Sequence, residues 1–445
     1  MEQNGPFPFA PAATRALLEW TSKRIAEGPD PRHGAQSPAA LDARLGGAIT
    51  PEGFAPEAAF ALFTETILPS TRPFADPTSL SFVASAPTRA SLSFDAALGA
   101  ASIFAGNWDG GSGAIYAENQ ALRWLADLAG WPETAGGVFV AGGTLGNLSA
   151  LHAAREWHRR ATGLTGKGAI LCSDEAHSSV ATAARVMDAD LITVPTDASG
   201  RMHAEAAAPL TTSATFAIVA NGGATNCGAV DDIDGLTALA AEARTWVHID
   251  GAYGGAALAE PQMAQAFEGI ERADSLIIDP HKWLFAPYDS SALIYRDARQ
   301  GAAAHGQRAV YLDAVDDSQW NPSDYALHLT RRARGLPLWY SLVTHGTASY
   351  AAAIRQTRLI AEEIAQGIDA SPHLKLLLGP QLTVILFKPL TMTDGEMETW
   401  AEDNRRSGKL LCLPTRWRGD KVFRLCIVNP ETDPKQVLDA LRDLR

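Results

Sequence analysis

The sequence predicts an α/β protein with two lobes: a large domain built on a doubly wound, mostly parallel sheet, and a smaller C-terminal α+β domain. Three observations carry this expectation. From about residue 136 to 295, short apolar runs alternate with helical patterns, the rhythm of βα units in a parallel sheet. Three of these runs lead into residues suited to chemistry: Val138 to Val140 into Gly142-Gly143-Thr144, Trp246 to Ile249 into Asp250, and Leu276 to Ile278 towards Lys282. Ligands of open α/β sheets bind beyond the carboxyl ends of strands, which is where these residues fall. Finally, 445 residues exceed the roughly 250 to 300 at which a single core stops growing, so a second lobe is expected.

Taken in order, residues 1–75 read as helices joined by proline-rich turns, at Ala13 to Glu27, Pro38 to Leu45 and Pro56 to Leu68. Their apolar faces are too small to form a core alone. Leu80 to Thr88 is an extended run into a turn, followed by a helix from Ser91 to Phe104. Gly106 to Gly113 reads as a glycine loop, and Ala117 to Leu128 as an amphipathic helix with Leu122, Leu125 and Leu128 on one face. Glu118, near its start, is sufficiently explained by the helix dipole. The strand at Val138 turns through Gly142-Gly143-Thr144 into a helix reaching about Arg160. Free N–H groups, the dipole and the Thr144 hydroxyl make that turn a phosphate cradle, although Thr144 also suits a plain N-cap. Gly163 to Gly168 hints at a nucleotide loop but lacks the first glycine and the Ser or Thr after Lys167, which rejects it.

Further strands are expected at Gly168 to Cys172, Leu191 to Val194, Phe216 to Ala220 and Ser290 to Tyr295. Gln307 to Thr330 is a long polar segment of the kind that forms lids. Leu342 to Gly367 reads as one long helix; Thr383 to Phe387, Lys409 to Leu413 and Val422 to Ile427 read as strands of the smaller lobe, closed by a helix from Pro434 to Leu444. The expected division is 1–75 as a helical interface segment, 76–340 as the large domain and 341–445 as the small one.

Composition narrows the function. Hydrophobic residues at 46% and charged residues at 20% are those of a globular chain, and a formal net charge of -13 argues against nucleic acid or an anionic membrane as partner. The 4 cysteines are scattered without Cys-x-x-Cys or Cys/His spacing, so no metal site is expected and the thiols read as buried and reduced. No basic-then-apolar leader and no run near the ~18 to 20 residues of a membrane span stands in the sequence, which points to a cytoplasmic protein.

Lys282 lies between an apolar strand and an apolar exit, Trp283-Leu-Phe-Ala286. Burial there disfavours the ammonium and leaves an amine that forms Schiff bases with carbonyls. A lone lysine of this kind usually snorkels from a strand end. Asp250, delivered to the same sheet edge, changes the odds: a Schiff-base lysine with an aspartate for a pyridinium nitrogen is the protein's share of pyridoxal phosphate chemistry.

On these residues the chain resembles the group II pyridoxal-phosphate decarboxylases, the family of aromatic L-amino-acid, tyrosine and glutamate decarboxylases. The matching stretches are Asp250-Gly-Ala252, Ser275, Pro280-His281-Lys282-Trp283, Ser173-Asp-Glu-Ala-His177-Ser-Ser and Ala224-Thr225-Asn226. The resemblance implies the aspartate-aminotransferase-like fold (fold type I of pyridoxal-phosphate enzymes) in a homodimer whose N-terminal segment packs across the partner. It implies that Lys282 carries pyridoxal 5'-phosphate, that Asp250 keeps the ring nitrogen protonated and that His177 lies over the ring. The resemblance also implies phosphate contacts at Gly143, Thr144, Ser275 and His281, a place for Thr225 near the phenolic oxygen, and Ala252 as the last of the cofactor set. The implied reaction is decarboxylation of an L-amino acid, an aromatic one among the options, to amine and carbon dioxide. The rivals are an aldehyde synthase, another lyase or aminotransferase on this fold, and a catalytically dead scaffold, against which the set Lys282, Asp250 and His177 speaks. Tyr325 is the expected proton donor, with Tyr311 second and a plain packing role for Tyr325 as the alternative. Ser85 and Ala86 stand where animal and plant aromatic decarboxylases carry an aromatic pair, and Arg331, Arg332 and Arg334 either bind a carboxylate or form structural ion pairs.

Overall fold

A computed structural model describes residue 7, residues 9–306 and residues 319–444. In it the apolar runs form one seven-stranded sheet of β1 (Gly136–Val140), β2 (Ala169–Ser173), β3 (Asp190–Val194), β4 (Thr215–Asn221), β5 (Trp246–Asp250), β6 (Ser275–Ile278) and β7 (Ser291–Tyr295), in the order β1-β7-β6-β5-β4-β2-β3. β2 to β6 pair in parallel, and β7 runs against both β1 and β6. Helices cover the sheet, so strands such as β4 and β5 are buried along their whole length and read as unbroken apolar runs rather than alternating ones.

Seven helices matter for the site and the chain's first third: α1 (Pro11–Glu27), α2 (Pro38–Leu45), α3 (Pro56–Leu62), α4 (Arg89–Ala101), α5 (Trp108–Leu128), α6 (Gly143–Thr162) and α7 (Ser178–Val186). None of α1, α2 and α3 contains a buried residue, and Phe9, Leu17, Leu18 and Phe54 remain exposed in this segment. The glycine stretch expected as a loop is instead the opening of α5. Asn107 caps it by accepting from Gly110 N at 2.9 Å, and the kink falls at Gly111, where a Cβ would stand 2.5 Å from the Phe104 carbonyl oxygen. Glu118 is therefore well inside the helix, 2% exposed, and answers to Arg331 rather than to a dipole.

The expected long helix is two helices, Leu336–His345 and Thr347–Asp369, parted by Gly346 at φ +76, a left-handed conformation that glycine adopts at little cost. A second, antiparallel sheet of β8 (Leu374–Gln381), β9 (Val384–Pro389), β10 (Pro414–Trp417) and β11 (Asp420–Cys426) follows in the order β10-β11-β9-β8. It has a core of its own around Ile364, Phe387, Trp400 and Phe423. Lys409 to Leu413 is not a strand of this sheet. Its backbone bonds with the stretch after Pro77, through Leu411 N to Thr78 O at 2.9 Å and Leu80 N to Leu411 O at 3.0 Å. Among the described residues no helix is long and apolar enough to cross a membrane.

Candidate active site

The carboxyl ends of the parallel strands open into a cavity of about 320 Å³. The β1–α6 turn contributes Gly143 and Thr144, the end of β2 contributes His177, the loop after β4 Thr225, the end of β5 Asp250 and Ala252, and the turn after β6 His281 and Lys282. Eight residues singled out from the sequence thus share one space. Two do not. Ser275 starts β6 at the opposite end from the cavity, fully buried, where its hydroxyl accepts from Trp246 Nε1 at 2.8 Å and meets His248 Nδ1 at 2.8 Å. A strand of four residues separates it from the Lys282 turn, and this distance corrects the expectation of a phosphate contact. Tyr325 packs its ring on Trp320, centroids 4.2 Å apart, and its carbonyl accepts from Tyr295 OH at 3.0 Å; it is absent from the cavity wall. Stacking, not access, accounts for its position. Tyr311 lies outside the described residues.

The Ser275 hydroxyl turns out to support the site from behind. Because it accepts the Trp246 N–H, its own hydrogen goes to His248 Nδ1, which leaves the His248 Nε2 proton to be donated to Asn147 Oδ1 at 2.9 Å. The Asn147 amide then donates to Asp250 Oδ2 and to Ser179 Oγ, both at 2.8 Å. The Ser179 hydroxyl and backbone N–H both point to His177 Nδ1, at 2.8 and 3.2 Å. Every link runs in one direction, from the Trp246 indole towards a carboxylate and an imidazole in the cavity. Burial pulls His248 down to about 4, so the neutral ring this chain requires is the stable one.

The environment of Lys282 differs from the expected one. Burial alone pulls the ammonium down, but Asp279 and Asp250 more than offset it and hold its pKa above the ordinary lysine value. The stronger partner is Asp279, whose Oδ2 lies 3.0 Å from Nζ. Asp279 closes β6 and was not anticipated: a carboxylate three residues before a lysine reads as an ordinary local ion pair. His281 accepts from Ser290 N at 3.1 Å through Nδ1 and stands 3.7 Å from the same carboxylate through Nε2, with burial lowering its pKa.

The conserved-domain profile of the pyridoxal-dependent decarboxylases matches residues 64–389 of this chain. The chain belongs to the pyridoxal-dependent decarboxylase family. An L-2,4-diaminobutyrate decarboxylase of Rhizobium meliloti is 30% identical over 355 residues, covering 75% of this chain and 71% of that protein. An aromatic-L-amino-acid decarboxylase of Bacillus atrophaeus is 28% identical over 362 residues, 77% of this chain and 75% of the other. The crystal structure of Oryza sativa TDC with PLP and tryptamine shares the fold at a TM-score of 0.89 and 22% identity, with 98% of each chain covered.

This protein is thus a pyridoxal-phosphate-dependent amino-acid decarboxylase, a carboxy-lyase of the aspartate-aminotransferase-like fold, and its cavity fits the cofactor. No side chain caps α6, and a Cβ on Gly143 would lie 3.0 Å from Asp279 Oδ2 and 3.3 Å from Ala252 Cβ, so only glycine leaves the helix amides open there. An amine and a fixed carboxylate face the same space.

In this decarboxylase the three arginines after the polar segment all pair with protein carboxylates. Arg331 is buried and bidentate on Glu118, at 2.6 and 2.8 Å, while Arg332 pairs with Asp95 and Arg334 with Asp289. The ion-pair reading therefore holds over substrate binding. A second cavity of about 520 Å³ shares Tyr288 with the first and is walled by Arg24, His33, Arg72, Phe74 and Leu92. Neither Arg24 nor Arg72 has a carboxylate at ion-pair distance among the described residues, and Arg72 Nη1 is buried without a partner. Sequence reasoning passed over these two because they lie in the N-terminal segment, far in sequence from every motif.

Proposed function

We propose that this decarboxylase converts an L-amino acid to its amine and carbon dioxide, with Lys282 tethering the cofactor and Asp250 holding the proton of its ring nitrogen. When bound, pyridoxal phosphate supplies a ring that accepts electrons from the Cα of an attached amino acid. The observation that carries the reading is the one-directional hydrogen-bond chain ending on Asp250. With Asn147 donating to Oδ2, the carboxylate is held as an acceptor facing the cavity, which is what a protonated ring nitrogen needs. With pyridoxal phosphate bound, His177, fixed through Nδ1 by Ser179, would hold the ring, the α6 amides at Gly143 and Thr144 with His281 would hold the phosphate, and Thr225 and Ala252 would complete the binding set.

Amine forms only if Cα is protonated after carbon dioxide leaves; capture by oxygen gives the aldehyde instead. A phenol suits the proton transfer. Tyr325 is packed away, so Tyr311 is the candidate that the sequence leaves in the same stretch. An aromatic substrate is one reading of the side chain. A side chain with an anionic tip is the second, favoured by Arg24 and Arg72 in the adjoining cavity, which have no carboxylate at ion-pair distance among the described residues.

The test is a panel of L-amino acids, aromatic, acidic and basic, assayed for carbon dioxide, amine, aldehyde and hydrogen peroxide. Carbon dioxide and amine in equal amounts from one class support the proposal. Equimolar aldehyde and peroxide from the wild-type protein would replace it with the aldehyde-synthase reading. Tyr325→Phe should leave the product unchanged, while Tyr311→Phe should move it towards aldehyde.

A further inference from the structure

The carboxyl group of Asp279 stands where α6 opens into the cavity. A Cβ built on Gly143 would lie 3.0 and 3.2 Å from its two oxygens, so nothing separates the carboxylate from the first turn of that helix. Asp279 is 2% exposed. Its Oδ2 is engaged by the Lys282 ammonium at 3.0 Å and lies 3.7 Å from His281 Nε2, whereas Oδ1 is buried with no hydrogen-bond partner among the described residues. Among the described residues, Asp250 and Tyr288 also act on Lys282 and Asp289 on His281, and the titratable His177 and Tyr253 line the same cavity.

This arrangement conflicts with simple anion binding. A phosphate dianion seated on the α6 amides would meet a carboxylate within a few ångströms, and two like charges that close in an enclosed site favour retaining a proton between them. A shared proton also turns the orphaned oxygen into one end of a short, charge-assisted O–H···O hydrogen bond. We infer that Asp279 is a cofactor-binding residue that holds the phosphate of pyridoxal phosphate through one shared proton, so that loading the decarboxylase takes up a proton from solvent. The inference rests on the reading of the α6 turn as the phosphate cradle. The balance is simple: one H⁺ leaves solvent and is bound between Asp279 Oδ1 and a phosphate oxygen, and no electrons are transferred. Binding that takes up a proton weakens as pH rises.

The experiment titrates pyridoxal phosphate calorimetrically into the full-length, cofactor-stripped protein at pH 8, in two buffers of different ionisation heat, to count protons. Once the difference seen with pyridoxal is subtracted, wild type should take up about one proton more than Asp279→Asn, whose amide donates to the phosphate without titrating. Between pH 7.5 and 9 the ratio of wild-type to variant Kd for pyridoxal phosphate, divided by the same ratio for pyridoxal, should rise up to about tenfold per pH unit. Asp279 also holds the Lys282 proton, so the same two proteins titrated with pyridoxal, which lacks the phosphate, give the amine's share of the difference, to be subtracted. A difference with pyridoxal phosphate no larger than that with pyridoxal overturns the inference by placing the proton at the amine, while leaving Lys282 as the point of attachment. Failure of wild type to bind pyridoxal phosphate at all would sink both the inference and the function proposed above. Asp279→Ser, a smaller donor with the same loss of charge, replaces Asp279→Asn if that variant does not fold, and carries the same expectation.

Discussion

At the scale of single residues, the proposed chemistry rests on one carboxylate held in a buried place. Asp250 is 7% exposed, and an unpaired charge there would be costly; the Asn147 amide at 2.8 Å and the Ala252 N–H at 3.3 Å supply the compensation. Asp250→Asn should therefore keep most of its cofactor, since phosphate contacts are separate, yet lose on the order of 10³-fold in kcat. Asn147→Leu acts one bond further out and should cost about 10- to 100-fold, with an altered pH dependence of the bound-cofactor absorbance. Steady-state rates and cofactor absorbance of both variants check this; normal kcat in Asp250→Asn would show that another group serves the ring. Lys282, Asp250 and His177 were legible in the sequence because each ends a strand or opens a helix at the same sheet edge. Asp279 and Asn147 were not. An aspartate before a proline and an asparagine inside a helix have common structural uses, and only their convergence gives them another.

At the scale of elements, two buried polar contacts tie the site to its frame. Glu118 on α5 receives both Arg331 Nη atoms and the Gly335 N–H, locking α5 to the segment that enters the Leu336–His345 helix. Removing one partner leaves the other charge buried and unpaired, so Glu118→Ala should cost about 3 to 5 kcal/mol, seen as a thermal midpoint lower by several degrees. A midpoint within a degree of wild type would contradict this. β5 carries the other contact. His248, near 4 in the fold against 6.5 when unfolded, binds fewer protons folded than unfolded, so stability is present above pH 6.5 and is lost as pH falls through the window down to about 4. The loss approaches about 3 kcal/mol. Melting curves between pH 7.5 and 4.5 should fall more steeply for wild type than for His248→Asn; parallel falls would remove His248 from the account. Element boundaries were readable where burial is uniform, as in β4 and β5. They failed where glycine had another use. Gly110 and Gly111 lie in a helix because they let it pass close to Phe104, and Gly346 breaks what periodicity reads as one helix. Leu410 to Cys412 are apolar because they are buried beneath the segment after Pro77, a contact spanning more than three hundred residues that no local pattern reveals.

For the whole molecule, the first seventy residues set the question. α1 to α3 bury no side chain, so their apolar residues belong against something else, which we take to be a second copy of the chain. Deleting residues 1–70 should give aggregated or inactive protein by light scattering and amine assay, and a fully active monomer would rule this out. The two-sheet architecture was legible in the βα alternation and in β9 and β11, while β8 and β10 were not read from the sequence; the partnership of the N-terminal helices is written only in what they leave exposed. The central claim is narrower than any of these: that Lys282, paired with Asp279 and facing Asp250, is where the cofactor is joined to the chain. Borohydride reduction of the protein loaded with pyridoxal phosphate, followed by proteolysis and mass mapping, tests it directly. The account expects the pyridoxyl group on Lys282 alone; the same group on any other lysine, with Lys282 unmodified, would contradict it.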